Sequence, residues 1–230
     1  MQSLATQLPL QLNLHEVYRF DNFYFAQAEL ASALTELCQT ESVSFVYLWG
    51  EASSGKSHLL MATAEKSAQN TLYLPLAELV QSASPEVLES VEQLDLLCID
   101  NLEAIAEHRE WQEALFHCFN RLQDSGCKLL VAARQNPATI ALTLPDLRSR
   151  MATALIYQLE SLNDDKKQQA LIIQAQARGL DLPSEVANYV LRHHSRDMQV
   201  LMTLLQQLDK ASMVEKRRLT IPFVRQVLHG

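Results

Sequence analysis

Eight consecutive residues, from Gly50 to Ser57, form the pattern that most directly implies chemistry. Their sequence, Gly-Glu-Ala-Ser-Ser-Gly-Lys-Ser, satisfies G-x-x-x-x-G-K-[ST] in full. Backbone N–H groups of such a loop surround phosphate oxygens, and the helix that follows adds its N-terminal dipole. Lys56 is then expected to reach the terminal phosphates of a nucleotide, and Ser57 a Mg²⁺ ion. A fortuitous glycine turn is the alternative, but a strand-like run before the loop and helical spacing after it favour the phosphate loop.

We therefore predict that this segment contacts a nucleotide. His58 is added to the prediction because it follows the loop directly, although helix packing explains it equally well. The predicted contacts are Gly50, Glu51, Ala52, Ser53, Ser54, Gly55, Lys56, Ser57 and His58.

A carboxylate follows the third apolar run, Leu96-Leu97-Cys98-Ile99-Asp100. An aspartate at the carboxyl end of such a strand holds the Mg²⁺ shell in many nucleotide hydrolases, so Ser57 and Asp100 are the predicted metal residues. An ordinary strand-end turn is the alternative for Asp100. The next residue, Asn101, stands where many such ATPases have a glutamate that activates water. Because an amide does not accept a proton, we expect strong nucleotide binding and weak intrinsic hydrolysis.

Short apolar runs alternate with helical patterns along the first two thirds of the chain. The runs lie at residues 45–49, 71–74, 94–99, 128–133 and 154–157. Continuous apolar strands separated by helices predict an α/β fold with a five-stranded parallel sheet covered on both faces. After residue 159 only helical spacing remains, which predicts a small all-α lid domain. We expect a tail at 1–14, an α/β domain at 15–160 and the lid at 161–230.

The composition limits the class of protein. Hydrophobic residues make up 48% of the 230 and charged residues 20%, which excludes wholesale disorder. The net charge of −8 disfavours a chain that coats nucleic acid or an anionic membrane. Residues 1–150 carry 9 basic and 19 acidic side chains, whereas residues 151–230 carry 10 and 8. The acidic excess therefore belongs to the predicted α/β domain.

The predicted compartment is the cytoplasm. The first residues show neither the basic nor the apolar region of a signal peptide, and no apolar run approaches the ~18 residues of a membrane span. The four cysteines form no C-x-x-C pair, so small buried side chains in a reducing cytosol are a better interpretation than a metal or redox site. The free thiols are Cys38, Cys98, Cys118 and Cys127.

Four further motifs make the pattern specific. Residues 20–23, Phe-Asp-Asn-Phe, resemble the F-x-N-F motif of the replication initiator DnaA and its relatives. Residues 98–103 (CIDNLE), 144–150 (LPDLRSR) and 217–224 (RRLTIPFV) are similar to stretches of the Hda family, the regulatory inactivators of DnaA. The chain thus resembles an AAA+ protein of the Hda family over nearly its whole length.

That resemblance implies roles for individual residues. Arg150 matches the arginine finger, which enters a neighbouring subunit's nucleotide site; without the resemblance a surface arginine would be the better interpretation. Arg196 matches the lid arginine that contacts nucleotide phosphates, with a ligand-free arginine at a helix start as the alternative. Phe20 and Asn22 are expected near the adenine. Arg134 departs from the family, which has a small polar or acidic residue at this position. Because an arginine cannot hold the attacking water in the same way, Arg134 is, like Asn101, a reason to expect weak hydrolysis.

The N-terminal residues resemble a docking motif of the same family. Residues 7–12, Gln-Leu-Pro-Leu-Gln-Leu, resemble the motif by which it binds the sliding clamp of DNA polymerase. Alternate leucines suit an extended peptide in an apolar groove. An edge strand or an unstructured arm is the alternative. The predicted clamp contacts are Gln7, Leu8, Leu10 and Leu12.

The resemblance as a whole implies a regulator of replication initiation. It is expected to bind a nucleotide, preferentially ADP, with Mg²⁺ as a potential companion. Its expected partners are DnaA, the sliding clamp and a second copy of itself, in a dimer or higher oligomer; DNA is reached through the clamp, and no membrane is involved. The rival functions are an autonomous ATPase, a helicase-loader or clamp-loader-like ATPase, and a DnaA-like DNA binder. No DNA-binding domain is expected after the lid.

Overall fold

The computed structural model describes residues 18–39, 43–67 and 70–229. Its sheet has the strand order β2-β3-β4-β1-β5, and all of its pairings are parallel, which confirms the predicted five-stranded parallel sheet. The strands are β1 (Phe45–Trp49), β2 (Thr71–Pro75), β3 (Leu96–Asp100), β4 (Lys128–Ala133) and β5 (Leu155–Gln158).

Helices connect the strands and then form the lid. Those around the sheet are α1 (Ala28–Gln39), α2 (Lys56–Ser67), α3 (Leu76–Ser82), α4 (Arg109–Ser125) and α5 (Pro145–Met151). Those of the lid are α6 (Asp164–Ala177), α7 (Ser184–His193), α8 (Met198–Glu215) and α9 (Ile221–His229). Within the described ranges, no helix combines the length and the apolar character that a bilayer crossing needs.

The sheet separates two apolar cores. Because successive side chains of a strand point to opposite faces, Tyr47 of β1 packs on one side with α4, whereas Val46 and Leu48 pack on the other with α1 and α2. A third core fills the lid around α8 and includes Leu204 and Phe223. The four cysteines are buried and unpaired, and burial raises the pKa of the Cys127 thiol to about 11. These thiols therefore stay protonated at neutral pH.

The register brings the functional loops to one edge. Trp49 pairs with Ala133 of β4 on one side and with Gln158 of β5 on the other. Since the strands are parallel, the segments that follow β1, β4 and β5 leave the sheet side by side. The segment after β3 leaves at the same edge, because Ile99 pairs with Val131.

A buried glutamine links α4 to the segment that leads into α5. The Gln112 side chain is fully buried; its Nε2 donates to the carbonyls of Ile105 and Ala106, at 2.9 and 2.8 Å. Its Oε1 accepts from the Thr143 hydroxyl and from the Leu144 amide. This one amide therefore satisfies two carbonyls before α4 and two donors at the start of α5, the helix that carries the predicted arginine finger.

Replacing Gln112 by methionine is expected to lower the free energy of unfolding by about 3 kcal/mol, because the side-chain volume is kept while buried polar groups lose their partners. Chemical denaturation measures this loss. Gln123→Met, at an exposed position of the same helix, is the control and should change stability by no more than about 0.5 kcal/mol. Equal effects of the two variants would contradict the role given to Gln112.

Candidate functional site

A cleft of about 770 Å³ lies between the carboxyl edge of the sheet and the lid. Its volume falls in the range of ordinary small-molecule sites. Four parts of the chain line it: residues of the N-terminal segment 18–30, the loop and helix start at 51–58, residues at and after the strand ends, and one face each of α6 and α8.

The loop between β1 and α2 is closed by its own lysine. The Lys56 ammonium donates to the carbonyl oxygens of Gly50 and Glu51, at 2.7 and 2.6 Å, and to the Ser54 hydroxyl at 3.2 Å. Burial lowers the pKa of Lys56, and the charges of Glu103 and Asp100 oppose this effect. The bonds hold the loop in a tight arc whose residues from Glu51 to His58 face the cleft.

Both glycines of the loop are required by close packing. A Cβ atom at Gly50 would collide with the carbonyl oxygen of Leu159. A Cβ at Gly55 would lie 2.6 Å from the Phe23 ring, and Gly55 also has a φ of 93°, which L residues rarely adopt. The sequence pattern explained these glycines by loop folding alone. Phe23, which packs on the loop and lines the cleft, was missed.

The residues of the N-terminal motif at 20–23 lie partly in the cleft wall and partly against the core. Asn22 lines the cleft, and its side-chain oxygen accepts from the Arg19 amide at 3.0 Å. Phe20 is not among the lining residues: its ring packs edge-to-face on Phe25, and the Lys66 ammonium lies 4.7 Å from its centroid. Of the two residues predicted near the adenine, the structure thus brings only Asn22 to the cleft wall.

An aromatic corner stands beside the loop. The His58 ring lies 5.2 Å from the rings of both Tyr18 and Phe23, and its Nε2 is 3.1 Å from the Arg19 carbonyl. All three rings line the cleft. Aromatic surfaces of this kind suit a flat heterocycle, so this corner is the candidate position for a nucleobase.

The two predicted metal residues differ in exposure. Ser57 lines the cleft, whereas Asp100 is 1% exposed and is not part of the wall. The Asp100 carboxylate accepts from the Tyr73 hydroxyl at 2.9 Å and from the Asn101 amide at 2.8 Å. Burial, then the charge of Asp100, raises the pKa of Tyr73, which keeps the phenol protonated as a donor. Both oxygens of the predicted Mg²⁺ ligand are thus engaged inside the protein.

The lid contributes cations and the start of a helix. Arg196 lines the cleft with a side chain 70% exposed; one guanidinium nitrogen lies 3.4 Å from Asp164, and its carbonyl accepts from Lys167. Lys167, also on the wall, was not predicted. Asp197 caps α8 by accepting from the Gln199 and Val200 amides, and the Val200 bond is the main cause of its lowered pKa.

Two further contacts connect the lid to the rest of the site. The Ser53 hydroxyl of the loop lies 3.5 Å from the Asp197 carboxylate. On the opposite wall, the buried Gln174 of α6 donates to the Asn22 carbonyl at 2.6 Å. The start of α8 therefore faces the phosphate loop, and the C-terminal half of α6 faces the N-terminal motif.

Arg150 lies outside the cleft of its own chain. Its guanidinium carbon is 5.8 Å from the Phe119 ring and 6.0 Å from the Phe116 ring, both on α4. In the part of the chain that the structure describes, no carboxylate lies within ion-pair distance of it. The four predicted clamp residues, Gln7, Leu8, Leu10 and Leu12, lie outside the described residues.

Gly55→Ala tests the close packing of the loop. Gly126→Ala is the matched control, because Gly126 has a similar φ of 77° but no atom within 4 Å of its Cβ position. The control is expected to cost about 1 kcal/mol of stability and Gly55→Ala about 2 kcal/mol more, from overlap with Phe23. Thermal denaturation measures both. The account is wrong if the Gly55 excess persists undiminished when Phe23 is also replaced by alanine.

Comparison with known proteins agrees with this geometry. The family described as "Bacterial DnaA ATPase domain" matches residues 14–158, and "Hda, lid domain" matches residues 164–228. The fold is similar to domain III of the replication initiation protein DnaA from Thermotoga maritima, with a TM-score of 0.76 and 21% identity over 92% of this chain and 95% of that one.

Two further structures share the fold. AMPPCP-bound DnaA from Aquifex aeolicus has a TM-score of 0.69 and 20% identity, over 86% of this chain and 66% of that one. The RuvB Holliday junction branch migration motor of Thermotoga maritima has a TM-score of 0.69 and 17% identity, over 92% and 71%. Together, the sheet, the helical lid and the two family matches show that the chain belongs to the Hda family of DnaA-related AAA+ proteins.

Proposed function

We propose that this protein binds a nucleotide between its α/β part and its lid, and stimulates hydrolysis of the ATP bound to DnaA. The two family matches support a DnaA-related regulator of replication, and hydrolysis of the partner's ATP is the mechanism that we propose for it. The observation that carries it is the position of Arg150, which belongs to α5, packs against the aromatic rings of α4 and lies away from the chain's own cleft. An arginine placed there serves a partner's site instead of its own.

The cleft supports binding of an adenine nucleotide, preferentially ADP. The loop supplies backbone N–H groups in a tight arc. Its two glycines are packed so closely that neither position has space for a Cβ atom. Lys56, Ser57 and Arg196 would hold the phosphates, and Asn22 and His58 lie where the base would be placed. The AMPPCP carried by the Aquifex DnaA of similar fold supports the choice of nucleotide.

The residues around the cleft disfavour turnover of that nucleotide. Asn101 lines the cleft but offers no base, because an amide does not take a proton from water. Arg134 stands at the next strand end, where it supplies charge but no acceptor. We therefore assign the bound nucleotide a structural role, holding lid and sheet together, and expect weak intrinsic hydrolysis.

Arg150 would act on the ATP of DnaA. Inserted into that site, its guanidinium neutralises charge that develops on the phosphoryl oxygens during transfer to water. Gln112 positions the segment that leads into α5 and so limits the freedom of the helix that carries the finger. The product is ADP-bound DnaA, which is inactive as an initiator.

Two features complete the proposal. The residues Gln7 to Leu12 would dock in an apolar groove of the sliding clamp and so bring the protein to DNA indirectly. We propose that the chain divides into parts at 15–160 and 161–230, and the separate apolar core of the lid supports this division. We also propose that copies of the protein assemble through their AAA+ surfaces into a homodimer or a higher oligomer.

A helicase-loader or clamp-loader-like ATPase is the second candidate. The fold shared with the RuvB motor is compatible with it, because fold does not determine function. The match of residues 164–228 to the Hda lid favours the regulator.

Arg150→Ala is expected to abolish the stimulation. With ATP-bound DnaA and DNA-loaded clamp, phosphate release should fall by about 10³-fold, the effect of a lost arginine finger. Arg148→Ala, an exposed arginine of the same helix, is the control and should retain stimulation. Equal stimulation by both variants would reject the finger, and no stimulation by the unaltered protein would reject the function.

Leu10→Ala combined with Leu12→Ala tests the clamp motif. Removal of both apolar anchors should abolish co-purification with the clamp, while Leu4→Ala, outside the motif, should leave it intact. Surface plasmon resonance on immobilised clamp quantifies the loss. Retained binding by the double variant would place the contact elsewhere in the chain.

A further inference from the structure

Arg134 stands directly beside the start of the phosphate loop. It follows β4, whose last residue, Ala133, pairs with Trp49, and the Gly50 amide donates to the Ala133 carbonyl at 3.3 Å. The Arg134 side chain is 65% exposed and lines the cleft. A guanidinium remains charged at every physiological pH. The cleft therefore carries a permanent cation next to the loop that would hold phosphates.

A single carboxylate positions this arginine. Glu103 accepts from the Arg134 backbone amide at 3.0 Å and lies 3.2 Å from its Nε. The same side chain therefore anchors both the end of β4 and the guanidinium. Since a guanidinium has five N–H donors and this ion pair uses the one on Nε, the anchored group has the capacity to bind a phosphate oxygen as well.

The same region does not fit a Mg²⁺ site of the usual kind. Mg²⁺ requires near-octahedral oxygen ligands, but Asp100 lies behind the cleft wall with both oxygens engaged. Arg134 and Lys56, which both line the cleft, add two positive charges near that position. Like charge opposes the entry of a divalent cation.

We propose that Arg134 binds the terminal phosphate of a nucleoside diphosphate and replaces Mg²⁺ as the counter-cation in this cleft. This inference rests on the proposed nucleotide binding and specifies its chemistry: the ligand is the free diphosphate and not its magnesium complex. Arg134 is a binding residue that determines metal independence, and Glu103 is its positioning residue.

Calorimetric titration of the intact protein with ADP, in excess EDTA and in saturating magnesium chloride, tests the proposal. The unaltered protein should bind with the same affinity in both. Arg134→Ala should bind about tenfold more weakly in EDTA, from the loss of charge-assisted hydrogen bonds. Arg134→Asp should bind better with magnesium than without it, because a carboxylate now faces the phosphates. Arg109→Ala, an exposed arginine on α4, controls for lost charge.

Several outcomes would overturn the inference. One is a loss of about tenfold or more in the affinity of the unaltered protein on chelation; another is unchanged affinity in Arg134→Ala. Magnesium-dependent binding removes this inference alone, whereas absence of ADP binding in both buffers removes the proposed nucleotide site as well. Thermal denaturation verifies that each variant folds. If Arg134→Ala does not, Arg134→Lys replaces it, since it keeps the charge but loses the planar fork and should still weaken binding.

Discussion

The site depends on the close approach of three backbones at the end of β1. Gly50 donates to the carbonyl of Ala133, and the amide of Leu159 donates to the carbonyl of Trp49. A side chain at Gly50 would collide with the carbonyl of Leu159. This contact places the phosphate loop between the residue that follows β4 and the segment that leads to the lid. The positions of Arg134, the loop and the lid therefore all depend on this backbone contact, and displacement of any one of them would move the others.

The proposed function assigns the binding of a nucleotide and the reaction with one to different parts of the molecule. The proposed binding residues are the loop, the aromatic corner and the basic residues of the lid, including Lys167 and Arg196, which together line the cleft. The expected reactive group, Arg150, lies outside the cleft, beside the Phe119 ring of α4. The charge distribution follows the same division: the α/β part carries the acidic excess, and the slightly basic lid lines the cleft opposite the phosphate loop. The net charge of −8 thus describes a protein that would reach DNA through partners.

The sequence predicts those features that depend on residues close together in the chain. The loop motif, the five apolar strands and the lid helices follow from spacing within short windows, and the structure confirms the fold that they indicate. Long-range contacts had no such signal. Gln174 and Asn22 are 152 residues apart, and neither Phe23 on Gly55 nor the four bonds of Gln112 can be deduced from neighbouring residues. The sequence pattern does not predict the short helix α3. Pro75 is both the last residue of β2 and the residue before α3, and in the sequence it indicates only the end of a strand. The burial of Asp100 likewise results from the packing of distant segments, so a motif at the end of a strand does not predict it.

The central claim, that sheet edge and lid close on one nucleotide, is tested most directly by amide hydrogen exchange of the intact protein with and without ADP. The account predicts slower exchange at both walls at once, in residues 50–57 and in the first turn of α8 after Asp197. Protection of the loop alone, with exchange in α8 unchanged, would contradict it, because the nucleotide would then bind to the α/β part without the lid.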